Sequence, residues 1–124
     1  MTAGHTVTIA PADQRIEIFV GGERVAASDR ALALDETGIG RRWYLPQDDV
    51  RMDLLRPLNM HTSCPFKGEA SYWTLTVGDT VLDGVAWGYP QPIEGAAAIA
   101  GHVCFYNDRV DLRVDGVREG AVSS

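Results

Sequence analysis

The sequence predicts a mainly β fold, a small antiparallel sandwich or partly open barrel with one or two short helical turns. Two observations predict it. Apolar and polar residues alternate at period two in several short runs, the pattern of half-buried strands. Glycine or Asn/Asp pairs separate those runs, and turns recur about every 8 to 12 residues, as sandwiches and barrels require.

Taken in order, Val7–Thr8–Ile9 is a short strand. Arg15–Ile16–Glu17–Ile18–Phe19–Val20 alternates, Gly21–Gly22 interrupts, and Arg24–Val25–Ala26–Ala27 resumes. Two residues free to take positive φ suit a tight hairpin. Ala31 to Leu34 and Trp43 to Leu45 are further strands, the second ended by Pro46, whose missing N–H cannot serve a ladder. Asp48 to Leu55 reads either as a strand, from the alternation of Val50, Met52 and Leu54, or as a short helix capped by Asp48.

His61 to Trp73 reads as a loop leading into a strand. Tyr72 to Val77, Gly78–Asp79 and Val81 to Trp87 make a second hairpin. Ile93 to Ala100 is a helical turn or a loop crossing the sheet. His102 to Tyr106, Asn107–Asp108 and Arg109 to Val114 make a third hairpin. We read one domain over residues 1–124, with a core at about 7–114 and a disordered tail at 118–124.

A chain of 124 residues is long enough to bury about two-thirds of its unfolded surface without staples. Two cysteines are too few for a disulfide scaffold, and Met1 to Thr6 lacks an apolar run, so the expected compartment is the cytoplasm. Ile93 to Val103 is too short and too interrupted to span a bilayer, so no membrane partner is expected. A net charge of −6 argues against a nucleic-acid partner, which would need a dense basic patch. Arg41–Arg42 is the one adjacent basic pair, and it leaves room for a local pocket holding one small anion. The expected partner is a small-molecule ligand or substrate, with a homo-oligomer left open.

The densest set of chemically able residues runs from His61 to Trp73. A thiol three residues before a lysine, Cys64 before Lys67, would feel a cation that raises its thiolate fraction. The competing reading makes Cys64 a small buried hydrophobe and Lys67 a solvated charge.

Several segments carry a resemblance: Ala27–Ser28 ahead of Leu34–Asp35–Glu36–Thr37, Trp43–Tyr44–Leu45–Pro46 with Asp49–Val50, Thr62–Ser63–Cys64–Pro65–Phe66–Lys67–Gly68–Glu69–Ala70–Ser71–Tyr72–Trp73, Ala86–Trp87–Gly88–Tyr89–Pro90–Gln91–Pro92, and Ile99–Ala100–Gly101–His102–Val103–Cys104–Phe105–Tyr106. In this order and spacing they resemble the domain-of-unknown-function 427 family from about Val7 to Val114. The Cys–Pro–aromatic–Lys–Gly block is the most specific part. The resemblance implies a small antiparallel β domain, akin to the β-tent group, and a site at Glu36, Tyr44, Asp49, Cys64, Lys67, Tyr72, Trp87 and Tyr89. Members commonly carry Arg after the proline of the Tyr–Pro segment. Gln47 stands there in this chain, so an anion contact from that position is in doubt.

Some members are labelled nucleotidyltransferases. This chain has no Gly–Ser turn followed by closely spaced carboxylates, and Asp48 and Asp49 would point to opposite faces of a strand, a poor grip on magnesium. His61, Cys64, His102 and Cys104 form the one candidate zinc set. The reading adopted is no cofactor, with His102 and Cys104 as satisfied core or pocket residues.

Trp43, Tyr72, Trp73, Trp87, His61 and His102 are the expected ligand-binding residues, since flat rings with polar edges enclose planar molecules. Glu36, Lys67, Tyr44, Tyr89 and Cys64 are the expected catalytic set: Glu36 as acid or base, Lys67 as cation or proton donor, the tyrosines as orienting hydroxyls, Cys64 as structural or nucleophilic. The expected function is therefore cofactor-independent acid/base chemistry on a small molecule, of cyclisation, isomerisation or elimination type. A non-catalytic ligand-binding module and a partner-binding domain are the alternatives. The enzyme reading requires Glu36 to lie near Lys67.

Overall fold

Two antiparallel sheets face each other in the computed structural model, which describes residues 5–119. The strands are β1 (Val7–Pro11), β2 (Ile16–Val20), β3 (Glu23–Ser28), β4 (Leu32–Glu36), β5 (Gly40–Pro46), β6 (Leu55–Cys64), β7 (Gly68–Val77), β8 (Thr80–Gly88), β9 (His102–Phe105), β10 (Asp111–Val114) and β11 (Val117–Glu119). The larger sheet runs β1-β4-β5-β9-β8-β7-β6 and the smaller β11-β10-β2-β3. Short 3-10 turns at Gln47–Asp49, Met52–Leu54 and Glu94–Ile99 are the described helical elements.

The expected β2–β3 hairpin forms at Gly21–Gly22, where φ is +60° and +83°, values L-residues rarely take. The β7–β8 hairpin forms as expected. The third expected hairpin does not. β9 pairs with β5 and β8 in the large sheet, whereas β10 pairs with β2 and β11 in the small one, so the Asn107–Asp108 turn carries the chain from one sheet to the other.

Two further readings are corrected. The segment from His61 to Cys64 is strand, the end of β6, and only Pro65 to Lys67 form the turn into β7. β6 is an edge strand, exposed along most of its length, and so lacks the alternation that marks a half-buried strand. Val117–Glu119 forms β11, so the reading of a disordered tail fails at Arg118 and Glu119; the remainder of that tail lies outside the described residues. Of the two readings of Asp48 to Leu55, the helical one is nearer, as a pair of 3-10 turns, but no side chain caps them.

The centre of the large sheet is buried on both faces, and along β4, β5 and β9 the strand period sorts its residues between them. Ala33, Trp43, Leu45, Ala86, Val103 and Phe105 join Ile16, Ile18, Val25 and Leu112 of the small sheet in the inter-sheet core. Leu34, Tyr44, Trp87 and Cys104, their immediate chain neighbours, form a second cluster on the opposite face with Ala70, Tyr89, Ala96 and Ile99. Each fully buried aliphatic side chain of the inter-sheet core contributes about 1.5–3 kcal/mol.

The second face carries the polar and aromatic residues. Register places Tyr72, Trp87, Cys104, Tyr44 and Leu32 in one row across five strands. The sheet is open in hydrogen-bonding terms, yet the tip of the β6–β7 hairpin meets the end of β4 through side chains, so the sheet curls around this second cluster.

Candidate functional site

Where the two edges of the large sheet curl together over the second face lies a buried ion pair. Lys67 Nζ donates to Glu36 Oε1 at 2.6 Å, and the two residues are only 7% and 6% exposed. The local backbone explains why the lysine sits there. Its N–H donates to Cys64 O at 3.2 Å and its C=O accepts from Ile93 N–H at 2.9 Å, which fastens the hairpin turn to the segment after β8. Gly68 makes that junction tight: its φ is +123°, and a Cβ there would stand 3.1 Å from Pro92 Cα.

The other oxygen of Glu36 accepts from His5 Nε2 at 2.9 Å, and the His5 ring stacks on Phe66 with centroids 3.9 Å apart. Burial pushes the Glu36 carboxyl up, but hydrogen bonds and charge from Lys67 and His5 outweigh it and hold the carboxyl below its ordinary value. Glu36 is thus kept ionised. Lys67 Nζ also lies 5.7 Å from the centre of the Tyr89 ring.

Next to the pair, Trp87 Nε1 donates to the Tyr44 hydroxyl at 3.3 Å. Burial raises the Tyr44 and Tyr89 phenols well above their ordinary value, so both remain neutral. Burial likewise pushes the Cys104 thiol up to about 12, although Arg42, Lys67 and the Tyr44 hydroxyl all pull it down. Cys64 is half-buried against the same cluster, and neither cysteine is in a disulfide.

Seven of the expected site residues are therefore brought to one face: Glu36, Lys67, Tyr44, Tyr89, Cys64, Tyr72 and Trp87. Three others are not, and His102, on the face of Cys104 by strand alternation, bonds at the strand's start. Trp43 faces the inter-sheet core and ties β5 to β11 by donating to Glu119 Oε1 at 2.8 Å. Trp73 packs against that core as well, and with exposed His61 and with Tyr72 it lines a shallow depression of about 500 Å³. His102 is half-buried and donates from Nδ1 to Ala100 O at 2.9 Å.

Among the described residues no three His, Cys, Asp or Glu side chains converge as metal ligands, so the candidate zinc set is not assembled. Asp49 is held by Ser28 Oγ at 2.6 Å and by Arg30 Nη2 at 3.2 Å.

Two residues of the site were missed. His5 precedes the recognisable segments, and what brings it in is the β1–β4 register, which sets Val7 opposite Glu36. Arg42 was read only as half of a basic pair, although strand alternation alone places it on the face of Tyr44.

The fold and these motifs together define a small β domain with a polar, aromatic second face. Residues 8–116 match the family described as Domain of unknown function (DUF427), and the chain belongs to that family. No curated protein matches the chain.

Proposed function

We propose that this protein is a small-molecule enzyme that works by acid/base chemistry between its own side chains. The carrying observation is the 2.6 Å contact of Lys67 with Glu36 below the surface of the second face. Buried ionisable groups are costly to keep for shape alone, and pairs of this kind concentrate at functional sites. A carboxylate held ionised accepts a proton, and an ammonium 2.6 Å away returns one to another atom of the same substrate. Isomerisation, cyclisation and elimination all need such a paired transfer.

In this reading Glu36 is the base and Lys67 the acid. The neutral Tyr44 and Tyr89 hydroxyls orient polar edges of the substrate, and Trp87 with Tyr72 receives its flat part. Cys64 borders the cluster, and the two free thiols support a cytoplasmic setting. The His5 ring, bonded to Glu36 and stacked on the exposed Phe66, is the group that would move aside to admit a substrate to the pair.

The test is incubation of the protein with a small-metabolite extract, followed by mass spectrometry for depletion of one compound and growth of another. Depletion by the wild type and none by Glu36→Gln is the expected result. A compound that stays bound in native mass spectrometry yet is never converted would overturn the enzyme reading and establish a binding module in its place. That second reading draws on the ring set around Trp87, whose centroid lies 4.5 Å from Tyr106 and 6.5 Å from Tyr72.

A further inference from the structure

Most arginines of this acidic chain are neutralised where they stand. Arg15, Arg24, Arg30, Arg41, Arg51, Arg113 and Arg118 each meet a carboxylate within 4.0 Å. Arg109 donates to a backbone carbonyl, Asp83 O, and Arg56 is exposed to water. Arg42 differs from all of these. It is half-buried, and among the described residues no carboxylate or carbonyl accepts from its guanidinium.

What surrounds it instead is aromatic. Its Cζ lies 5.5 Å from the Trp87 ring centre and 5.6 Å from that of Tyr106, and those two rings touch. Such contacts hold a guanidinium in place through its flat face and leave the N–H edge free. The N–H edge of this fork of five donors reaches water, and an oxyanion can take the place of that water.

The position is also right for the site. Arg42 and Tyr44 share one face of β5, and Cys104, directly opposite Tyr44, feels the charge of both Arg42 and Lys67. Arg42 therefore flanks the buried thiol together with the cation of the acid/base pair. Tyr72 and Tyr106, which flank Trp87, line a neighbouring hollow of about 560 Å³, a size that suits a small organic molecule; Arg42 and Trp87 stand behind those two rings and not on its wall. Asp83 and Asp108 line the same hollow and repel anions, the more strongly the higher their charge, while Arg109 on the same wall offsets part of that field, so at most a single negative charge is suited to it.

We propose that Arg42 is the anchor for a single carboxylate on a planar substrate, whose ring lies against Trp87, Tyr72 and Tyr106. This rests on the reading of the second face as a substrate site and names the class of molecule it takes. A planar carboxylate accepts two parallel N–H bonds from one guanidinium, which fixes both the position and the tilt of the attached ring.

The experiment uses 2-naphthoate, its neutral counterpart 2-naphthamide, and inorganic phosphate as probes of the full-length protein. Binding is followed by the NMR signal of the Trp87 indole N–H, assigned with Trp87→Phe. The expected result is saturable displacement of that signal by 2-naphthoate, with affinity about 10- to 100-fold above 2-naphthamide, the range of a hydrogen bond to a charged group. Arg42→Gln should abolish the preference, and Arg42→Lys, which keeps the charge without the fork, should retain only part of it.

Equal binding of naphthoate and naphthamide, or no binding of either, would overturn the anchor even if Arg42→Gln failed to fold, because that comparison needs only the wild type. Phosphate competing as strongly as naphthoate would overturn the planar carboxylate as the ligand class. Glu36→Gln and the wild type together separate the two proposals: naphthoate binding that survives in Glu36→Gln while turnover is lost supports both, and a wild type that binds naphthoate yet converts nothing in the metabolite assay overturns catalysis and leaves the anchor standing.

Discussion

Lys67 reaches Glu36 across 31 positions of sequence and joins opposite ends of one sheet. Glu36 closes β4, next to the β1 edge, and Lys67 sits in the turn before β7, next to the β6 edge. The pair does by side chains what a closed barrel does by backbone hydrogen bonds: it holds the curl of the large sheet around Tyr44, Trp87 and Cys104.

Breaking the pair from one side should therefore cost more than removing it whole. Lys67→Met leaves a buried carboxylate with only His5 for company, and a loss of about 3–5 kcal/mol is expected. The double variant Glu36→Gln, Lys67→Met should recover much of that loss in urea unfolding. A double variant no more stable than Lys67→Met alone would show that the pair does not act as a unit.

The same pair sets a pH dependence. The Glu36 carboxyl sits below its ordinary value in the folded chain, so its contribution is present above that ordinary value. It is lost as pH falls through the folded value. Thermal unfolding should show the wild type losing stability through this acid window more steeply than Glu36→Gln, and parallel curves would refute the assignment.

The two thiols should differ in reactivity. Cys104 is fully buried with its thiol pushed up to about 12, whereas Cys64 is half-exposed. Titration with a disulfide reagent should label one thiol in the native protein and two after denaturation, with the native signal lost in Cys64→Ser. Prompt native labelling of Cys64→Ser would contradict the packing around Cys104.

Gly88 marks where the sheet tolerates no side chain. A Cβ there would stand 2.7 Å from the backbone oxygen of His102 and 3.3 Å from the Trp73 ring. Gly88→Ala should destabilise by about 1–3 kcal/mol. Gly95→Ala, whose Cβ would meet nothing within 4 Å, should stay within about 0.5 kcal/mol of the wild type.

Trp43 and Trp87 separate stability from binding. Trp43→Phe loses the bond to Glu119 and should cost about 1–3 kcal/mol while leaving naphthoate affinity unchanged. Trp87→Phe loses its bond to the Tyr44 hydroxyl and should in addition weaken naphthoate several-fold, an effect read by calorimetry.

The β character of the chain was legible because period-two alternation and Gly21–Gly22 are local signals. Pairing was less so. Asn107–Asp108 has the composition of a hairpin turn, but nothing in a turn states whether the next strand returns to the same sheet, and β10 goes to the other one. β6 escaped for the opposite reason, since an edge strand need not bury either face. In the site, Glu36 and Lys67 were found through motif resemblance, their contact being invisible to any local pattern. Trp43 and Tyr44 looked equally suited to ligand binding until the sheet assigned them to opposite faces.

That assignment has a consequence for how the protein can change. Along β5, β8 and β9 the positions that hold the two sheets together alternate with those that face the site. Substitutions at Arg42, Tyr44, Trp87 and Cys104 leave the inter-sheet packing in place and act on the second buried cluster instead, so the two faces vary on interleaved sets of residues. A library that varies half-buried Arg42 freely and keeps side-chain volume at Tyr44, Trp87 and Cys104 should yield mostly folded proteins with altered selectivity. One displaced by a single residue along the same strands, at Trp43, Leu45, Ala86 and Val103, should yield mostly unfolded ones.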